Sequence, residues 1–208
     1  MKTFAKAALA AALFLALAAP APAVLKPGAK LVPFSLRNID GRDYTVAVED
    51  GRLTLTVSGP GEGQTAVKSH PAVLLVDFWA TYCVPCRKAM PHMQKLHEAH
   101  GPAEGQAEGG LRVIGIALDD AGSKVVKPFY QKLKITYPLL ADPPAAAPAA
   151  DVVATARDMK KRYGVQGIPV VYLIDAAGTV VHAHVGSTEA QMAELETAIA
   201  ALLAGGKR

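Results

Sequence analysis

Apolar positions in this chain fall into short runs of two kinds. Leu31–Leu36, Tyr44–Val48 and Leu53–Val57 read as short strands, with Asn38, Asp40–Gly41 and Asp50–Gly51 marking the turns between them. Val73–Phe78 is almost continuously apolar, as expected of a central strand buried on both faces, and Leu111–Leu118 reads as a second. Between them, Pro85 to about His100 reads as a helix with a kink at Pro91. A helix is also expected from Ser123, as its cap, to about Lys134, with Pro128 limiting its first turns. Another runs over Asp151–Tyr163 and ends at Gly164. Val170–Ile174 and Thr179–Val185 form two strands around a turn at Asp175–Gly178. Glu189–Leu203 is an amphipathic helix with Met192, Leu195, Ile199 and Leu202 at helical spacing. Gly59–Gly63, 101–110 and 141–150 read as loops.

The order is β, α, β, α, α, β, β, α behind an N-terminal β extension. Strand–helix alternation predicts an α/β fold with a central mixed sheet: a parallel pair covered by helices, closed by an antiparallel hairpin. A length of 208 residues suits one domain, 24–208, after an export segment, and 51% apolar content supplies its core. Residues 1–23 have the form of a secretory signal peptide. Lys2 and Lys6 precede the apolar run Ala7–Ala19, and Ala21-Pro22-Ala23 offers a small–x–small cleavage site. The run is short for a spanning helix, so membrane attachment is expected only if the leader stays uncleaved. With Lys2 and Lys6 set aside, 20 of the 22 basic residues face 18 acidic ones, too even a balance for a nucleic-acid surface.

The chain has two cysteines, Cys83 and Cys86. A disulfide between them would close a tiny loop and constrain the unfolded chain weakly, so redox chemistry explains the spacing better than stability does. The helix expected from Pro85 starts just after Cys83. Its unpaired N–H groups and positive dipole end would stabilise a thiolate there and lower its pKa below the free value of about 8.5. Cys86 lies one turn deeper. Residues three apart on a helix have Cβ atoms roughly 5–6 Å apart, and a disulfide wants about 3.5–4.5 Å, so modest tightening lets the pair cycle. Cys83 is the expected nucleophile and Cys86 the resolving thiol. Pro85 sits in the first turn, where its missing N–H costs nothing.

Asp77 is a carboxylate inside an apolar strand. Desolvation should raise its pKa, so that it could take the proton of Cys86; the alternative is an acid at a strand edge with a surface partner. Trp79 and Tyr82 flank the pair, either as ordinary packing or as part of a docking surface. Ile168–Pro169 precedes a strand, and proline is awkward in a central strand, which leaves a cis bond in a turn or an ordinary loop proline.

The string Val76-Asp77-Phe78-Trp79-Ala80-Thr81-Tyr82-Cys83-Val84-Pro85-Cys86 resembles the active-site strand and loop of thioredoxins. Tyr163-Gly164-Val165-Gln166-Gly167-Ile168-Pro169 resembles their cis-proline loop, and Val171–Gly178 the hairpin after it. With the leader and an inserted βα segment around 119–140, the chain is similar to the TlpA/ResA branch of extracytoplasmic thioredoxin-like proteins. The resemblance implies a thioredoxin fold, a Cys83–Cys86 disulfide, and a cis Pro169 beside it whose neighbouring backbone pairs with the substrate. Trp79, Tyr82, Pro85, Ile168 and Pro169 are then the expected substrate-binding residues, with Cys83, Cys86 and Asp77 catalytic. Asp77 matches the buried acid of cytosolic thioredoxins, where many members of this branch carry Asn. Ala89 stands where the branch often has Glu. Residues 42–72 exceed the usual N-terminal hairpin and could cover the site, bind a partner or simply decorate the fold.

The resemblance further implies a periplasmic or otherwise extracytoplasmic reductant. Its clients would be disulfide-containing proteins, such as apocytochrome c or copper-site cysteines, and its electrons would come from a membrane thiol transporter. No cofactor is required. A thiol peroxidase would want Thr three residues before the nucleophile, whereas Thr81 stands two before Cys83. A copper-binding or metallochaperone module could recruit His182 and His184, which share one side of a strand, while Cys83, Cys86, His92 and His97 do not form a zinc-finger layout. A binding protein with a merely structural disulfide is the remaining class.

Overall fold

A computed structural model of the chain describes residues 24–60, 65–102, 106–142 and 155–205. The leader, residues 61–63 of the glycine-rich loop, most of the 141–150 loop and the first four residues of the helix expected from Asp151 lie outside the described residues.

Strand β5 (Val73–Trp79) is the axis of the molecule, with all seven residues buried. It pairs in parallel with β6 (Leu111–Ala117) and antiparallel with β8 (Val170–Asp175). With β7 (Leu139–Leu140) and β9 (Val180–Val185) the sheet runs β7-β6-β5-β8-β9. Successive side chains of a strand point to opposite faces. Val73, Leu75 and Trp79 pack with Met90 and Met93 of α1 (Val84–His100) and with Leu195 and Ile199 of α4 (Glu189–Gly205). Leu74, Val76 and Phe78 pack the other way, with Met159 of α3 (Ala156–Arg162) and with Phe34, Leu36 and Leu53 of the N-terminal extension. Each such apolar side chain taken from water contributes about 1.5–3 kcal/mol, which is why a strand buried on both faces can anchor the fold.

The extension is an antiparallel sheet of β1 (Phe34–Arg37), β2 (Asp43–Glu49), β3 (Arg52–Ser58) and β4 (Val67–Ser69). Its buried residues meet the face of β5 opposite to the one that carries the cysteines' helix. Two stretches tie it to the central sheet. Asn38 bridges to Leu140 of β7, and Lys30 bridges to Thr179 just before β9, where Val180 also bonds to Gly28 and Ala29.

The expected elements form with adjusted ends. The first strand starts at Phe34 rather than Leu31, since Pro33 offers no N–H to a ladder. Strands β4 and β7, three and two residues long, carry no legible period. Helix α2 (Ser123–Leu133) starts where expected, but its cap is Gly122 and no side chain caps it. Ser123 is the first helical residue, and its N–H is satisfied instead by the Asp142 carbonyl at 3.0 Å. Helix α3 is capped by Thr155 in a reciprocal box with Asp158, and Gly164 follows its end at φ 66°.

Gly122 has φ 54°, and a Cβ there would stand 2.1 Å from the Asp142 carbonyl oxygen. Gly122→Ala should therefore destabilise the protein by about 2 kcal/mol or more, seen as a lower urea midpoint with an unchanged slope.

Candidate active site

The chain leaves β5 at Trp79 and turns through Ala80–Tyr82, with the Cys83 N–H bonded to the Ala80 carbonyl at 3.1 Å. Cys83 is then the N-cap of α1 in an extended conformation (φ −79°, ψ 102°), and Pro85 occupies the first turn. The Cys83 Sγ accepts from the Cys86 N–H at 3.2 Å. No acidic residue stands in that turn, so the positive end of the peptide dipole acts on the sulfur unopposed by local carboxylates. Cys83 and Cys86 are joined in a disulfide across Cα atoms 5.3 Å apart. Cys83 keeps 7% of its surface and Cys86 1%, so an incoming sulfur meets Cys83 first. Tyr82 and Val84, 70% and 55% exposed, flank it with apolar surface.

Three other segments hold this loop. Because β5 and β6 are parallel, the segment after β6 arrives at the same end. There Asp119, buried, accepts from the Thr81 N–H at 3.0 and 3.2 Å and from the Thr81 hydroxyl. Val170 is the register partner of Phe78, which brings the preceding Ile168–Pro169 bond, cis as the resemblance implied, beside the chain leaving β5. After β9, the Gly186 N–H bonds the Pro169 carbonyl at 2.8 Å and the Ser187 hydroxyl bonds the Pro85 carbonyl at 3.3 Å. A cavity of about 460 Å³ opens next to Tyr82 and Ile168, with Asp119, Asp120, Arg157 and Lys160 among its walls.

Asp119 and Ser187 are absent from the sequence-based set. The Asp119 signal was available, as a carboxylate just past the C-terminal end of a buried parallel strand, where α/β sheets build their sites. Ser187 carries no comparable mark, since its contact spans 102 residues. Trp79 is placed otherwise than a client-contacting residue would be. It is fully buried, 5.6 Å from the Phe129 ring, and supports the loop from below.

Asp77 is buried within β5, on the face of Val73, Leu75 and Trp79, which pack in one cluster with Cys83 and Cys86. Burial pushes its carboxyl up to about 7. The histidines disperse. His92 faces Glu196 at 3.5 Å, and His97 packs edge-on against Tyr137. His182 Nε2 and His184 Nδ1 lie 3.0 Å apart on β9, and burial followed by the His182 charge holds His184 down to about 4. Among the described residues no group of three or more His, Cys, Asp or Glu side chains is gathered to hold a metal ion.

The fold and the bridged pair together define a thioredoxin-fold protein with a cystine at a helix N-terminus. The family model Redoxin matches residues 47–199, and the chain belongs to that family. It is 26% identical over 121 residues to the thiol-disulfide oxidoreductase ResA of Halalkalibacterium halodurans, covering 58% of each chain. Over 147 residues, 68% of this chain, it is 31% identical to the protein DipZ of Mycobacterium bovis, of which that stretch is 19%. The chain thus spans less than two thirds of the length of these curated relatives. Among solved structures, StoA of Bacillus subtilis superposes with a TM-score of 0.51 at 20% identity over 82% of this chain and 99% of that one, a likeness of fold.

A carboxyl raised to about 7 binds its proton more tightly in the folded than in the unfolded chain. Its stabilising effect is complete below the unfolded value of about 4 and is lost as pH rises through about 7. The oxidised protein should therefore lose on the order of 4 kcal/mol between those limits, and Asp77→Asn should remove most of that slope in urea titrations at stepped pH.

Proposed function

We propose that this protein is an exported thiol–disulfide oxidoreductase that reduces disulfides of client proteins. The observation that carries the reading is the unequal pair at the start of α1: Cys83 at the N-cap, reachable, and Cys86 buried one turn in. In the reduced protein the Cys83 thiolate attacks one sulfur of a client disulfide. That S–S bond breaks, a client thiolate leaves, and a Cys83–client mixed disulfide forms. Asp77 takes the proton of Cys86. The Cys86 thiolate then attacks Cys83 Sγ, the second client thiolate departs and is protonated, and the Cys83–Cys86 disulfide is left. Two electrons from a dithiol donor restore the start.

Tyr82, Val84, Pro85 and Ile168 form the apolar rim on which the client segment lies, and the chain beside Pro169 supplies its backbone partners. The resemblance to the TlpA/ResA branch supports the reducing direction, a membrane thiol transporter as donor, and cysteines of apocytochrome c or copper sites as clients. The leader at 1–23 supports a periplasmic or other extracytoplasmic location. Among the described residues no helix is long and apolar enough to cross a membrane.

With dithiothreitol as donor, the protein should reduce insulin disulfides, and Cys83→Ser should fall to background. Cys86→Ser should keep the first attack and accumulate a mixed disulfide on non-reducing gels. Turnover by Cys83→Ser at the wild-type rate would refute the reading, and rapid consumption of hydrogen peroxide by the wild type would favour a peroxidase instead.

A further inference from the structure

Gly115 is the register partner of Asp77 on β6, and what surrounds it is unusual for a core. A Cβ at Gly115 would stand 2.6 Å from Leu139 Cδ2, 3.1 Å from Trp79 Nε1 and 3.3 Å from Tyr137 Cε2. The glycine is therefore a floor over which Leu139 and two polar aromatic side chains close. Tyr137 is fully buried, and both its hydroxyl and the Trp79 indole N–H lie buried with no hydrogen-bond partner. Buried donors are nearly always satisfied, so two orphans at one glycine need an explanation. The same face of the sheet carries an acceptor, the Asp77 carboxyl across the register from Gly115, whose charge bears on the Tyr137 hydroxyl.

We propose that Tyr137 is a positioning residue for the redox pair: with the Trp79 N–H, its hydroxyl supplies the donors that stabilise the Asp77 carboxylate and so sets the proton affinity of the group that deprotonates Cys86. The inference rests on the reading of Asp77 as the proton acceptor. The cradle at Gly115 gathers two donors on the face of the sheet that carries Asp77.

The other groups around Asp77 do not compete for this role. Across the sheet on β8 stands Val171, and beyond it His184 on β9, held down to about 4 and so neutral where Asp77 titrates. His182 lies on the same strand and bonds His184. From α1 come Cys86 itself and, further along, His97, which packs edge-on against Tyr137 and is pushed down by burial. His92 on α1 faces Glu196 of α4. Tyr137 is held protonated by burial well beyond the range of Asp77, so it remains a donor throughout.

The test is a titration of the Asp77 carboxyl by carbon-13 NMR in the full-length oxidised protein, together with the pH profile of insulin reduction. Tyr137→Phe keeps the ring and removes the donor. It should raise the Asp77 midpoint by about one pH unit and move the low-pH limb of the rate profile up by as much, roughly a tenfold loss on that limb. Trp79→Phe should shift the midpoint the same way and serves if Tyr137→Phe does not fold. An Asp77 midpoint unmoved in either folded variant, or a rate loss equal at every pH, would overturn the proposal. Failure of the underlying reading looks different: Asp77→Asn would leave the rate profile unchanged while Tyr137→Phe still shifted the Asp77 midpoint.

Discussion

The structure depends on β5 having no wet face. Seven consecutive residues are sealed between α1 and α4 on one side and α3 with the extension on the other, and hydrogen-bonded between β6 and β8. That confinement fixes where the chain emerges after Trp79, and so where Cys83 meets the first turn of α1. It also dehydrates Asp77, since a carboxyl in the middle of such a strand cannot reach bulk water. The redox pair and the acid beneath it follow from one packing constraint.

The parallel pairing of β5 with β6 has a second effect. Parallel strands deliver their C-terminal ends to the same edge, so Asp119 arrives beside the loop that Trp79 has just left. The antiparallel partner β8 brings its beginning to that edge, and with it the cis peptide before Pro169. Segments distant in sequence are thus gathered around the cysteine loop, Asp119 bonded to Thr81 and Ser187 to Pro85. The electrostatic contribution of the helix end, typically about 0.3–1 kcal/mol and up to about 2 when partly buried, acts on an atom held in a fixed place.

Much of this was legible in the sequence because it rests on local signals. Val73–Phe78 declared its burial by composition, α4 by period, and the cysteine pair by its spacing beside Pro85. What was not legible depends on contacts between remote segments. Gly122 rather than Ser123 ends the turn before α2 because the Asp142 carbonyl occupies the place of a side chain. Strands β4 and β7 exist only as partners of longer neighbours. Trp79 lies beneath the loop rather than on its surface because its position in β5 turns it inward against Phe129. Tyr137 and Trp79 meet over Gly115, the register partner of Asp77, through contacts between segments that no local pattern announces.

The two tethers of the extension have a consequence for how the molecule behaves among its own kind. One stretch of chain, from Gly28 to Asn38, reaches both outer strands of the central sheet, bonding Val180 at the head of β9 and bridging to Leu140 at β7. Open strand margins are templates on which other chains can add and aggregate. Here a single N-terminal ribbon covers part of each margin, so those stretches of strand edge are already paired and are not open for another chain to add to.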